Sequence, residues 1–322
     1  MKRASLIVKG MLLIALMIGM VALPIFSAAP AKTYKVGFAC MTLAYTWMTY
    51  AYQAVIDEAA KYPEIQLIVE NAQGDAARQV EIMENFIAQG FDAILVNPLN
   101  VDVLVPVIEE AKAAGIVVAT FDRRAFNQTS TVFHVGADDI FGGRLALEYV
   151  ATRLGGVGKI VHILGELGSS PAINREIGVK AQLAHYPGLE IVYEQSGRFS
   201  PDEGLRVMED AITATHGNFD AVICANDDSA LGAIRAMADA GIDFNKVIVV
   251  GYDGVPGGLR AVMAGELDAT IQYPVEMARL ATEQLCKYLI HGTLPAILDL
   301  DINPWMLVPS NIWSEAEMNY DL

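Results

Sequence analysis

The chain has 322 residues, 53% of them apolar and 19% charged, which suits one large or two ordinary globular domains and excludes a disordered or fibrous protein. Against 38 Asp and Glu there are 22 Lys and Arg, a net charge of −16. A chain this acidic lacks the basic footprint a phosphate backbone needs, so no nucleic-acid partner is expected.

In chain order, the first 31 residues read as an export signal. Lys2, Arg3 and Lys9 form a basic start, Met11 to Phe26 is apolar and uncharged, and Ser27-Ala28-Ala29-Pro30-Ala31 supplies small residues for a cut after Ala31. An uncleaved anchor is the alternative, but the apolar run contains Pro24 and falls short of the ~20 residues that span a bilayer. Cleavage removes three basic residues and no acidic one, so the charge moves from −16 to −19. No other stretch is long and apolar enough to span a membrane, so the mature protein is expected to be soluble. Cys40, Cys224 and Cys286 are odd in number, widely spaced and outside any C-x-x-C. That excludes a disulfide framework and a paired-thiol metal or redox site, and the apolar runs around Cys40 and Cys224 predict buried thiols.

From residue 34 onward, β-rich runs alternate with helical spacing. Strands are predicted at 34–40, 65–70, 91–97, 115–122, 131–137, 159–165, 189–195, 220–227, 247–253 and 268–273. Between them, sets such as Val80, Met83, Phe86 and Ile87, or Val103, Val107, Ile108 and Ala111, recur at helical intervals. Strands apolar on both faces and separated by helices predict parallel sheets covered on each side. Pro201-Asp202-Glu203 opens a helix, while Gly90, Gly115 and Gly241 follow helix ends. Gly155-Gly156-Val157-Gly158 precedes a strand and reads as a helix terminus, not a nucleotide loop. The segment beginning Phe91-Asp92-Ala93 is echoed by Phe219-Asp220-Ala221, each with a strand, a polar Asn, a helix ending Ala-Gly and a strand ending in Asp. A repeated βαβ unit argues for two similar halves.

Open α/β sheets bind ligands beyond the carboxyl ends of their strands. Asn97, Asp122 and Arg123 stand there in the first half, Asn226 and Asp253 in the second. Carboxylates and amides offer acceptors and donors to hydroxyl pairs, and Arg123 adds a forked donor. The rings of Tyr45, Trp47, Phe199 and Tyr252 lie close by in sequence. Flat rings beside carboxylates suit a sugar, whose C–H faces stack while its hydroxyls form charge-assisted bonds.

Taken in order, FACMTLAYTWMTY, ILVNPLN, TFDRR, GADDIFGGRLA, INREIGVK, CANDDSALGAIRA, VVGYDGVP and ATIQYP resemble the type I periplasmic sugar-binding proteins, nearest the ribose-binding branch. The lactose-repressor-type regulators share this fold but carry a DNA-binding headpiece where this chain carries an export signal. The resemblance implies two Rossmann-like three-layer (αβα) domains with mostly parallel sheets, joined by a three-segment hinge. Crossings are expected near Ala137, Gln272 and Leu300, giving one lobe of 32–137 plus about 273–300 and a second of 138–272 plus about 301–322. It implies an aromatic wall of Trp47 and Phe199, with Tyr45 and Met48 alongside. Asn97, Asp122 and Arg123 would bind ligand from one lobe, and Arg175, Asn226, Tyr252 and Asp253 from the other, with Gln272 at the hinge. A ribose-type site has Asn where this chain has Tyr45, and Phe where it has Trp47 and Met48, so one wall of the site departs from the ribose pattern and the resemblance does not fix the sugar.

The implied function is capture of a monosaccharide or polyol by hinge closure and delivery to the permease subunits of an ABC transporter, with a chemoreceptor or sensor as a further partner. A monomer without cofactor or metal is expected. The alternative is a ligand-sensing ectodomain, or an exported sugar-processing enzyme on the same fold. No G-x-x-x-x-G-K-[ST], G-x-S-x-G, H-E-x-x-H or full G-x-G-x-x-G occurs. His134, His162, His185, His216 and His291 are scattered and read as core or surface residues. Asp138-Asp139 and Asp227-Asp228 read as helix caps. Asn127-Gln128-Thr129 matches a glycosylation pattern that bacterial export leaves unused.

Overall fold

The computed structural model describes residues 32–125, 131–243 and 246–310; the expected export signal and the Asn127 triplet lie outside them. The first half runs β1 (Tyr34–Cys40), α1 (Thr46–Ala59), β2 (Ile65–Asn71), α2 (Ala76–Ala88), β3 (Ala93–Val96), α3 (Val105–Ala113), β4 (Val117–Phe121) and β5 (Phe133–Ala137). The second runs α4 (Asp139–Leu154), β6 (Val157–Leu164), α5 (Ser170–Leu183), β7 (Gly188–Ser196), α6 (Pro201–Thr215), β8 (Ala221–Cys224), α7 (Asp227–Asp239), β9 (Ile248–Asp253), α8 (Pro256–Ala264) and β10 (Ala269–Gln272). Then follow α9 (Glu276–His291), β11 (Asp299–Ile302) and β12 (Trp305–Leu307).

Each predicted strand is present, with ends that differ from the expected ones by up to three residues: 220–227 shortens to Ala221–Cys224, while 159–165 begins two residues earlier at Val157. The two short strands β11 and β12 were not legible in the sequence, because DLDI alternates acidic and apolar residues and WML is only three residues long.

The strands form two six-stranded sheets with matching order, β11-β5-β4-β3-β1-β2 and β12-β10-β9-β8-β6-β7. All pairings are parallel except β10 with β12. The repeat seen in the sequence is thus a repeat of topology, with β3–β4 in one sheet matching β8–β9 in the other.

The chain passes between the sheets three times. Helix α4 packs on the second sheet immediately after β5, and α9 returns to lie on β3, β4 and β5. Strand β11 then joins β5, and two residues later β12 pairs with β10. The third passage therefore falls at residues 303–304, slightly beyond the expected Leu300.

Burial follows the pattern that parallel sheets demand. Strands β3 and β8 are buried along their whole length. Separate apolar clusters cover the outer faces, Ile82, Met83, Phe86 and Ile108 in the first half and Val207, Met208, Val222 and Met237 in the second. In α1 the buried residues Met48, Ala51, Val55 and Ala59 fall three or four apart, one face of a helix. Pro201 takes the first turn of α6 and Ser200 caps it, accepting from the Glu203 amide. Gly155, with φ 65°, ends α4 in the left-handed conformation just before β6, which accounts for the glycine run ahead of that strand.

Candidate functional site

The carboxyl ends of both sheets meet around a cavity lined by charged and aromatic side chains, the kind of place where open α/β sheets bind ligands. From the first half, Asp122 and Arg123 reach it from the end of β4, and Tyr45 and Trp47 from the start of α1. Arg175 from α5, Phe199 from the loop before α6, Asn226 after β8 and Asp253 at the end of β9 complete the opposite side.

The two aspartates occupy equivalent places in the repeat, and both are held at positive φ, 60° for Asp122 and 109° for Asp253. Phe199 and its neighbour Arg198 also have positive φ, 56° and 52°. Non-glycine residues pay for this conformation, and such strain concentrates at binding sites. Asp and Asn tolerate it best; Phe199 does not, so its ring position is imposed by the surrounding fold.

Charge in the cavity is paired. Asp122 accepts a 2.9 Å hydrogen bond from the Tyr273 hydroxyl, and its other oxygen lies 4.0 Å from Arg123 Nε. Burial pushes the Asp122 carboxyl above the ordinary carboxylate range, opposed by Arg123 and by the Tyr273 bond. Arg123 donates to the Leu99 carbonyl at 2.9 Å.

Arg175 is the centre of the second side. Its Nε donates to Asp139 at 2.8 Å, its Nη1 donates to the Ala225 carbonyl at 2.6 Å, and Nη1 lies 3.6 Å from Asp253. The guanidinium sits 3.6 Å from the Tyr252 ring centre and 4.5 Å from that of Tyr273, in the range of cation–π contact. Burial raises the Asp253 carboxyl well above its usual range, with Arg175 opposing.

The aromatic residues form a connected wall. Tyr45 and Phe199 meet edge to face at 5.9 Å, and Trp47 lies 5.0 Å from Tyr273 while its Nε1 donates to the Tyr273 carbonyl at 2.9 Å. Arg123 stands 5.8 Å from the Tyr45 ring centre and 5.6 Å from that of Phe199.

Eight of the twelve residues predicted from the sequence line the cavity; Met48, Asn97, Tyr252 and Gln272 do not. Met48 is buried inside α1's core face and receives a bond from Asn97 Nδ2, whose Oδ1 accepts from the Met41 amide. Asn97 thus ties β3 to the loop after β1 and lies behind the wall. Tyr252 is a platform under Arg175. Gln272 packs against Gly254 at the end of β10. Strand-end position was a sound guide to the layer but could not tell the surface of the cavity from the residues supporting it. Met41, Pro171 and Tyr273 line it without having been predicted. Tyr273 directly follows Gln272, and an aromatic residue at a chain crossing was the available signal.

The acidic pairs also divide differently from the sequence expectation. Asp138 caps α4, accepting from the Phe141 amide, whereas Asp139 is committed to Arg175. Asn226, not Asp227 or Asp228, caps α7 through the Ser229 amide while its Nδ2 donates to the Phe199 carbonyl. Asp227 accepts from Thr270 Oγ1 at 2.6 Å and from the Val255 amide at 3.0 Å. His134, Asp299 and Asp301 gather away from the cavity, with ligand atoms within 4.8 Å of one another. Arg124 bonds both carboxylates there at 2.5 Å and supplies the positive charge such a cluster calls for.

Two matched αβα layers, chain passages at three points and a charged, ring-lined cavity between the strand ends define a two-lobed binding protein. The chain belongs to the periplasmic binding protein family, whose domain it matches over residues 36–293. It is 33% identical to the galactofuranose-binding protein YtfQ of Escherichia coli, over 88% of this chain and 91% of that one. It is 34% identical to the xylitol-binding protein of Mycolicibacterium smegmatis, over 67% of this chain but only 61% of that relative. Among solved structures it is similar to an ABC transporter solute-binding protein from Bacillus halodurans with bound myo-inositol. That likeness has a TM-score of 0.82 and 31% identity, covering 87% of this chain and 96% of the other. Among the described residues no helix is long and apolar enough to cross a membrane.

Proposed function

We propose that this chain captures a neutral monosaccharide or polyol between its lobes by hinge closure and delivers it to the permease of an ABC transporter, without chemical change. The observation that carries this reading is the pairing of Asp122 and Asp253, one from each sheet, around a single ring-lined cavity with Arg123 and Arg175. Each guanidinium already faces a carboxylate, Arg123 at Asp122 and Arg175 at Asp139 and Asp253, so neither cation is left over for an anionic ligand, which suits a hydroxyl-rich, uncharged one. The relatives named for galactofuranose, xylitol and myo-inositol share that chemistry. A micromolar Kd needs about 8 kcal/mol. Several charge-assisted bonds at about 1.5–3 kcal/mol each, counted before ordering costs, sum to that order.

In this reading the lobes are residues 32–137 with α9 and β11, and residues 138–272 with β12, and they turn about the three passages. Groups from both lobes on one ligand give it a preference for the closed form, which is what shifts the balance toward closure. The twelve sequence-predicted residues divide into eight that touch the ligand and four that support them. Residues 1–31 act as a cleaved export signal, and the mature protein works as a monomer in the periplasm. A chemoreceptor or sensor would read the same closed form.

Calorimetry against pentoses, hexoses and polyols tests the proposal, with Asp122→Ala and Asp253→Ala as controls that lose binding while still folding. The bound sugar is expected back unaltered after incubation. Turnover, or full affinity in both variants, contradicts the assignment.

A further inference from the structure

Helix α1 begins at the cavity without a cap of its own. Tyr45 holds the capping position in extended backbone, and its side chain bonds no amide of the first turn, which also lacks an acidic residue. The missing partner comes from the opposite side of the cleft. Asp228, in the first turn of α7, accepts from the Thr46 amide at 3.1 Å through one oxygen and from Thr46 Oγ1 at 2.8 Å through the other. Its own helix does not need it, since Asn226 caps α7. A carboxylate at the positive end of a helix combines a charge-assisted hydrogen bond with the helix dipole.

Two further backbone links across the cleft are neutral: the Arg124 amide to Ser170 Oγ at 2.8 Å and the Val101 amide to the Gly168 carbonyl at 3.2 Å. The Tyr45 hydroxyl reaches Glu166 only at 3.4 Å. Among the described residues, the Thr46–Asp228 contact is the cross-cleft link with two short bonds to a buried carboxylate, Asp228 being 9% exposed. Neither residue lines the cavity, yet Thr46 lies between Tyr45 and Trp47, which both do.

We propose that Thr46 and Asp228 form a latch outside the ligand cavity: Asp228 caps α1 in trans, stabilises the closed arrangement and positions Tyr45 and Trp47 against the ligand. This rests on the reading that the two lobes close on a ligand. Opening returns the Thr46 amide and the Asp228 carboxylate to water, so the pair contributes only to the closed state and adds to affinity without touching the ligand. Its loss is expected chiefly in a faster dissociation rate.

The test uses Asp228→Asn, Asp228→Ala, Thr46→Val and Thr46→Ser in the full protein. Kd and dissociation rate are measured for xylitol, D-galactose, D-ribose, L-arabinose and myo-inositol. Interlobe distances come from nitroxide pairs at Glu84→Cys and Glu209→Cys, both exposed, in protein without sugar. Selective labelling is possible because the native cysteines are buried. For whichever sugar the wild type binds, Asp228→Asn and Asp228→Ala are expected to weaken binding about tenfold, or about 1.4 kcal/mol. Thr46→Val should weaken it less, because it keeps the amide bond, and Thr46→Ser should bind as wild type. The distance distribution should lengthen in the Asp228 variants. Wild-type Kd together with unchanged distances in both Asp228 variants overturns the latch. If the wild type binds none of the five sugars, it is the ligand reading that fails. The distances then decide the latch alone: lengthening supports it and identity with wild type overturns it.

Discussion

Replacing Arg175 is the most informative single perturbation, because this side chain holds two buried carboxylates and one wall of the cavity at once. Arg175→Met keeps the stem's bulk and removes the guanidinium. That strips Asp139 of its 2.8 Å partner, Asp253 of its 3.6 Å neighbour and the Ala225 carbonyl of its donor. The two carboxylate side chains are only 4% and 8% exposed, so water cannot replace what is lost. Breaking a buried ion pair by removing one partner costs about 3–5 kcal/mol. For a chain this long each kcal/mol lowers Tm by about 2–4 °C, so a drop of roughly 10 °C is expected in calorimetry near neutral pH. Arg175→Lys restores charge but not the fork or the stacking on Tyr252, and should fall between the two. Arg175→Met with Asp139→Asn removes both charges of the closest pair and should recover part of the loss. The reasoning is refuted if Arg175→Met melts within about 2 °C of wild type, a shift of no more than about 1 kcal/mol.

Three further outcomes follow from the geometry. Gly178 in α5 packs on the Ile140 carbonyl of α4, where a Cβ would collide with backbone; Gly178→Ala should therefore destabilise by about 1–3 kcal/mol in urea denaturation, and no change in midpoint would contradict that close packing. Burial pushes Asp139 up to about 6 and Asp227 up to about 8. Protons then bind more tightly in the fold than in the unfolded chain, so stability should fall as pH rises from about 4 through 8. Glu194, held down to about 2 chiefly by its bond with His162, contributes in the opposite sense and is lost as pH falls from about 4.5 toward 2. Tm is thus expected to peak on the mildly acidic side, and a maximum above about pH 8 would reverse the sign of the argument. Finally, burial raises the Cys40 and Cys286 thiols to about 12 and Cys224 further still, so a thiol reagent should modify all three only after denaturation; modification of the native protein would show that one of them is accessible.

The fold class and most of the strand order of chemistry were readable from the sequence, and the reason is local. Apolar runs such as FDAILV and FDAVIC can be stable only between two helical layers, and the polar residue ending each run must then stand at a sheet edge. This is why Asp122, Arg123, Asn226 and Asp253 were found by position alone. Arg175 was not found in that way: it lies mid-helix in α5, and only resemblance pointed to it. Strands β11 and β12 escaped because one alternates acidic and apolar residues and the other is only three residues long; each exists through its pairing with β5 or β10.

Tertiary structure decided what no local pattern encodes, namely which side chains face each other across the cleft. Met48 and Trp47 are adjacent in sequence, yet the helical turn sends one into the core and the other to the cavity. Asp227 and Asp228 are adjacent as well, yet one binds Thr270 within its own lobe and the other reaches Thr46 in the opposite one. Length, composition and acidity excluded partners without naming a ligand, because net charge carries no direction. Direction comes from the two sheets, which bring residues more than a hundred positions apart, Asp122 and Asp253, to the same cavity.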